Sequence, residues 1–202
     1  MGARVFRPAP VGLPGLAALA LGFFLFLLAL FAARRRALGG PTAMEARRSN
    51  RSWAGIALQA MAIGTVAIGP VRVGLDPLSG PSLLRAGTVL LLMLGATGLF
   101  HAASRAMGRN WSIVARTRTD HQLVQCGPFA HVRHPIYVAL FLLLPAFALA
   151  YGHERALAIG VPLYCIGTLL RVRHEERLLR AQFGGAYDLY AGRVKRFVPG
   201  WF

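Results

Sequence analysis

VGLPGLAALALGFFLFLLALFAA, residues Val11 to Ala33, runs without a charge until it meets Arg34, Arg35 and Arg36. About twenty apolar residues are what a helix needs to cross the hydrocarbon core of a bilayer. In lipid, a helix satisfies its backbone polar groups within one segment. Arg4 and Arg7 precede the run, as in a cleaved signal peptide, but the run is long for a signal core and the basic stop abuts it. A retained anchor is expected. Working outward, the pattern recurs at Trp53–Val73, apolar except Gln59 and ending at Arg72, and at Ser82–Ala103, with Arg85 placed to snorkel near its start. Pro135–Tyr151 and Ala156–Leu170 carry no charge at all. Gly152 to Arg155 alone separates these last two, a tight helical hairpin, and Pro145 and Pro162 kink membrane helices rather than abolish them. The expected fold is an all-α integral membrane protein of about five transmembrane helices. Residues 1–104 form a three-helix scaffold and 105–202 the region that carries chemistry, within a single membrane domain.

The chain has 202 residues, is 55% hydrophobic and holds only seven acidic side chains against a net charge of +16. Such a charge raises the question of nucleic acid, but the arginines cluster beside apolar runs, where they set topology and bind anionic headgroups. No aromatic-interleaved basic ribbon is present, so no nucleic-acid partner is expected. Lys and Arg number six, five and seven in segments 34–51, 105–133 and 171–202, against two, two and one in the N-terminal tail, the 72–85 loop and the 153–155 turn. Five spans place all three rich segments on one face, which the positive-inside rule assigns to the cytoplasm. The N-terminus then lies outside and the C-terminus inside. The Ala, Leu and Arg bias hints at a bacterial inner membrane. Cys126 and Cys165 offer no metal spacing, and no metal is expected.

Two short stretches hold the chemistry. In GPFAHVRHPIY, Gly127 to Tyr137, Arg133 and His134 stand where a polar connector enters a span, and Pro135 suits the first turn of a helix. Two donors beside a helix N-terminus make an anion pocket; the other reading is a topological flank. Tyr137 either bonds a ligand or sits in the aromatic belt. Beyond the hairpin come Glu175 and Glu176, two of the seven acids, directly after a span. A carboxylate near the hydrocarbon boundary needs a cationic partner. Arg171, Arg173, Arg177 and Arg180 surround the pair, so intrahelical pairing is the bland account. Neighbouring positions point about 100° apart, which turns one glutamate to the bundle and the other to solvent or an arginine. Tyr187 and Tyr190 share a face, and the tail RVKRFVPGWF either closes over a pocket or lies on the membrane. His121 and His131 are candidates for ligand contact.

The order H-x-L-V-x-x-G-P-F-x-x-x-R-H-P-x-Y (His121 to Tyr137), an apolar hairpin, then E-E-x-x-L-x-x-x-F-G-x-x-Y-x-x-Y-x-x-x-V-x-R-F-x-P (Glu175 to Pro199) resembles the isoprenylcysteine carboxyl methyltransferase family. Phospholipid N-methyltransferases of the phosphatidylethanolamine type look related through the same half. The resemblance covers about residues 105–202. It implies methyl transfer from S-adenosylmethionine at the cytoplasmic membrane face, in a pocket built by the 105–134 connector and the C-terminal helix. It also implies that His121, Gly127, Phe129, Arg133, His134, Tyr137, Glu175 and Glu176 line the cofactor pocket. Arg133, Glu175 and Glu176 would carry catalysis, and Tyr187 and Tyr190 would face the substrate. Phe129 stands where the family often has tyrosine, and Ala139 where it often has glycine. The acceptor would be lipid-like or a small hydrophobic molecule: a carboxylate such as isoprenylcysteine, a phospholipid amine or a hydrophobic thiol. The competing readings are an NADPH-dependent membrane reductase of the sterol type and, further off, a non-enzymatic subunit or transporter. The latter would want charge within the spans and a repeat between halves, and the chain has neither.

Overall fold

The protein is described here by a computed structural model covering residues 8–38, 52–111 and 122–201. Each expected apolar run is helical: α1 (Leu13–Leu38), α2 (Ser52–Ala67), α3 (Gly80–Met107), α4 (Pro135–Tyr151) and α5 (Leu157–Phe183), followed by the short α6 (Gly185–Arg193). Length separates them. Three segments, α1, α3 and Glu154–Phe183, are long and apolar enough to cross a membrane. At 1.5 Å per residue, α2 and α4 reach only about 25 Å, short of a hydrocarbon core of about 30 Å. The second run is expected to continue to Val73, but its helix stops at Ala67. Pro70 cannot supply the N–H that continuation needs. The residues after it form a two-residue strand, β2 (Arg72–Val73), parallel to β1 (Pro10–Val11), a small departure from an all-α fold.

The main packing pairs are α2 with α5, α1 with α3, and α3 with α4. The link between α4 and α5 is as short as expected, yet neither helix is the other's chief neighbour. Small residues explain the α2–α5 seam. A side chain at Gly167 would meet the Gly55 carbonyl at 2.8 Å, and one at Gly160 would meet Thr65 Oγ1 at 2.9 Å. Backbones approach this closely only where side chains are absent, which is how helices associate in lipid without a hydrophobic driving force. The α1–α3–α4 side is packed by larger groups, with Phe26, Met93, Phe100, Leu144 and Phe147 in one cluster. Phe24, Leu27, Leu28 and Phe31 of α1 remain about half exposed, as a lipid-facing surface requires.

At the end where α4 meets α5, one ion pair and two backbone carbonyls take up the polar side chains. Arg85 does not simply snorkel; it pairs with Glu154 and donates to the Leu149 carbonyl at 2.8 Å, closing the last turn of α4. Gly152 ends that helix at φ +75°, with the Ala9 backbone filling the space where a Cβ would stand. His153 is buried against the Val66 and Pro70 carbonyls.

Candidate active site

Arg133 and His134 enter α4 as predicted, with His134 at the N-cap and Pro135 in the first turn. What holds them is not predicted. The Arg133 N–H donates to the Lys195 carbonyl at 2.8 Å, and the His134 N–H to the Arg196 carbonyl at 3.0 Å. The tail thus runs alongside residues 132–134 as a short parallel pairing, and it carries Arg196 into the bundle.

Three cationic or proton-bearing groups converge on one carboxylate. Glu176, 2% exposed, receives Arg196 Nε at 3.0 Å and Arg196 Nη2 at 2.8 Å in a two-pronged contact. On the same carboxylate, Oε1 lies 3.3 Å from His134 Nε2 and 3.4 Å from Arg133 Nη2. A buried carboxylate is tolerable only when paired and hydrogen-bonded in this way. The paired fork is the strongest geometry a guanidinium offers. The hydrogen bond to Glu176 raises the Arg196 guanidinium above its ordinary range. The anion that Arg133 and His134 hold is therefore the protein's own.

Glu175, one residue earlier, meets a different set. It accepts from the Tyr137 hydroxyl. Arg171 Nη2 lies 3.9 Å from its Oε1, and His134 Nδ1 lies 3.8 Å from its Oε2. Its side chain is 24% exposed. His134 thus stands between the two glutamates, one ring nitrogen toward each. Intrahelical pairing accounts for Arg171 alone; Arg177 turns to the Arg173 carbonyl and Arg180 to Asp188 on α6.

The remaining predicted residues surround these. The Gly127–Ala130 turn, opened by Gly127 at φ +60°, buries Phe129. Tyr190 donates to the Phe129 carbonyl at 2.7 Å and ties α6 to that turn. Tyr187 is almost wholly buried, with Arg180 over its ring. Its hydroxyl makes no hydrogen bond of normal geometry. Burial pushes both phenols up to about 12, with the Glu176 charge adding to the effect at Tyr187 and Tyr187 itself adding to it at Tyr190. His131 is exposed. His121 lies outside the described residues. No cluster of three or more metal-ligating side chains occurs among the described residues.

A cleft opens beside the charged centre, walled by Met107, Phe129 and Leu179 and reached by Arg133, His134 and Tyr187. Arg133 Nε and Tyr187 Oη are buried there without a hydrogen bond of normal geometry, although the arginine charge acts on the phenol. Unpaired polar atoms are costly inside a protein, and these two sit where a ligand carrying acceptors and an apolar ring system would complete them. That donor set suits a ligand that presents a carboxylate or hydroxyls beside a flat ring.

Residues 88–181 match the isoprenylcysteine carboxyl methyltransferase (ICMT) family. The match spans just under half of the chain. It takes in Arg133, His134, Tyr137, Glu175 and Glu176, while Arg196 and all of α1, α2 and α6 lie outside it. Among curated proteins, the chain is similar to protein-S-isoprenylcysteine O-methyltransferase of Schizosaccharomyces pombe, 34% identical over 100 residues. The match covers 46% of this chain and 40% of that relative, so the chain spans well under two thirds of the relative's length.

Sequence reading missed three neighbours of the site, Arg196, Gln59 and Thr168. Arg196 stands in the V-x-R-F-x-P segment, and a buried acid short of cations was its signal. Arg171 was visible only as a generic helical partner. Gln59 and Thr168, which join it from the helix seam, carried no signal beyond Gln59 being the lone polar residue of its run.

Proposed function

We propose that this protein is an S-adenosylmethionine-dependent methyltransferase acting at the cytoplasmic membrane face on a lipophilic acceptor. The observation that carries the reading is the meeting, within the ICMT-family region, of the Arg133–His134 and Glu175–Glu176 pairs in one half-buried site beside an apolar cleft. The charge asymmetry of the loops favours five membrane crossings, with α2 and α4 tilted or partly sheltered. It also favours this site, with the tail, on the cytoplasmic side.

S-adenosylmethionine supplies, when bound, a methyl group on a positively charged sulfur. Arg133, through the Nε left without a hydrogen bond, would bind its carboxylate, His134 would stand alongside while tied to both glutamates, Tyr187 would hydrogen-bond a polar group, and Phe129, Met107 and Leu179 would hold its base and exclude water. Glu176 orients these donors rather than meeting solvent. Glu175, less buried and paired with the Tyr137 hydroxyl, is the group placed to accept from the cofactor's ammonium and to take a proton from the acceptor. A carboxylate acceptor, of the kind the family description names, needs no base; an amine or hydrophobic thiol acceptor would give its proton to Glu175. Positioning and desolvation are the main sources of rate, worth up to about 7–11 kcal/mol when the reacting groups are well aligned.

Calorimetric titration of the purified protein in nanodiscs with S-adenosylmethionine tests the cofactor directly. Saturable binding that Arg133→Ala weakens at least tenfold is expected; no saturable binding by the wild type overturns the reading. Lipid extracts from cells with and without the active protein then identify the acceptor by the gain of one methyl group.

A further inference from the structure

α2 lies wholly outside the family-matched region, yet it reaches the site. Gln59, 5% exposed, donates from Nε2 to Thr168 Oγ1 at 2.8 Å across the α2–α5 seam. Its other amide atom, Oε1, accepts from Arg171 Nη1 at 3.0 Å. One turn earlier on the same face of α2, Gly55 leaves room for the stem of Arg171: a Cβ there would stand 2.5 Å from Arg171 Cγ. Positions four apart on a helix share a face, so Gly55 and Gln59 together form a cradle, one for the aliphatic stem and one for the guanidinium. From that cradle Arg171 reaches the Tyr137 ring, 5.1 Å from its centroid, and Glu175.

A bond from Gln59 to Thr168 alone would hold the two helices together. The amide does more, because its oxygen faces α5 one turn further along, on the side toward the site. An arginine side chain has many rotamers and loses much entropy when fixed. The pairing of Arg171 with Glu175 is long, at 3.9 Å, so its geometry depends on whatever else holds the guanidinium. We infer that Gln59 is a positioning residue, which, by fixing Arg171 against Tyr137 and Glu175, sets the carboxylate of Glu175 in the cofactor site. The inference rests on the methyltransferase reading above and extends the site to a helix the family match does not include.

The test uses the full chain in nanodiscs, calorimetric titration with S-adenosylmethionine and thermal unfolding of each variant. Gln59→Leu keeps the side-chain volume and removes both bonds; about a tenfold loss of affinity is expected, as for a lost hydrogen bond to a charged group. Thr168→Val should lose part of that affinity, and Thr168→Ser, which keeps the hydroxyl, should retain it. Val66→Ala, buried at the same seam against Gly160, is the packing control. It should lower the unfolding temperature and leave affinity within about twofold. If the wild type binds and Gln59→Leu binds equally well, or if affinity falls in Val66→Ala as much as in Gln59→Leu, the positioning role is overturned. Absence of binding by the wild type overturns the methyltransferase reading itself, and the inference with it.

Discussion

Glu175 and Glu176 are neighbours on one helix, yet they live in different surroundings. Glu176 is sealed, with a two-pronged arginine from the tail, a second arginine and a histidine all turned inward on it. Glu175 is a quarter exposed, and its partners are a phenol and, at longer range, the same histidine and one arginine. A carboxylate saturated with strong donors at low exposure has little capacity left for a substrate and serves to assemble its partners. One with looser partners and access to solvent can still exchange a proton. On the proposed reading the first serves architecture and the second is the candidate for chemistry, although both were equivalent in sequence.

Removing the architectural carboxylate should do the most damage. Glu176→Ala leaves Arg133 and Arg196 facing each other with no counter-charge; a destabilisation of about 3–5 kcal/mol is expected, as when one partner of a buried pair is lost. Denaturant unfolding in detergent measures it, and a loss below about 1 kcal/mol would erase the contrast. Arg196→Ala comes next, at about 1.5–3 kcal/mol for a charge-assisted hydrogen bond. Arg196→Lys should recover only part, because lysine cannot make the fork.

Glu175→Gln should reverse the order of effects. Stability should change by less than about 1 kcal/mol, while methyl transfer to a thiol or amine acceptor falls at least about a hundredfold, the range of general-base catalysis. Transfer to a carboxylate acceptor would be much less affected, so the pair of rates also reports the acceptor class. The smallest effect belongs to the tyrosines. Both phenols sit near 12 against an ordinary value of about 10. A raised folded value favours the protonated form, so their contribution to stability is complete below about pH 10 and drains away as pH rises toward 12. Ultraviolet titration of wild type against Tyr187→Phe and Tyr190→Phe should show the missing step at that alkaline end; a step near 10 would mean that these rings are solvated.

The membrane character and both motif halves were legible because they are local: apolar run length, a proline in a helix start, two acids where acids are rare. Even the pairing of Arg133–His134 with Glu175–Glu176 followed from counting charges on loops. What escaped reading depends on third partners. Backbone pairing between residues 132–134 and the tail leaves no periodic trace, since it involves N–H and carbonyl groups that every residue has. Gln59 reads as an isolated polar residue until α2 meets α5, and that meeting is set by Gly55, Gly160 and Gly167, which in sequence look like ordinary membrane-helix glycines. Span number is blurred for the same reason, as α2 and α4 are apolar yet short, and neighbours rather than length decide how they sit.

The pairing of the tail with residues 132–134 also sets an order of events in biosynthesis. Every described helix precedes Arg196 in the chain, so the cation that completes the pairing of Glu176 is the last part of the site to be synthesised. Until then the carboxylate has Arg133 and His134 alone, and the site remains open on the tail's side. Docking of the tail closes it, and that closure rests on two backbone hydrogen bonds and one guanidinium fork.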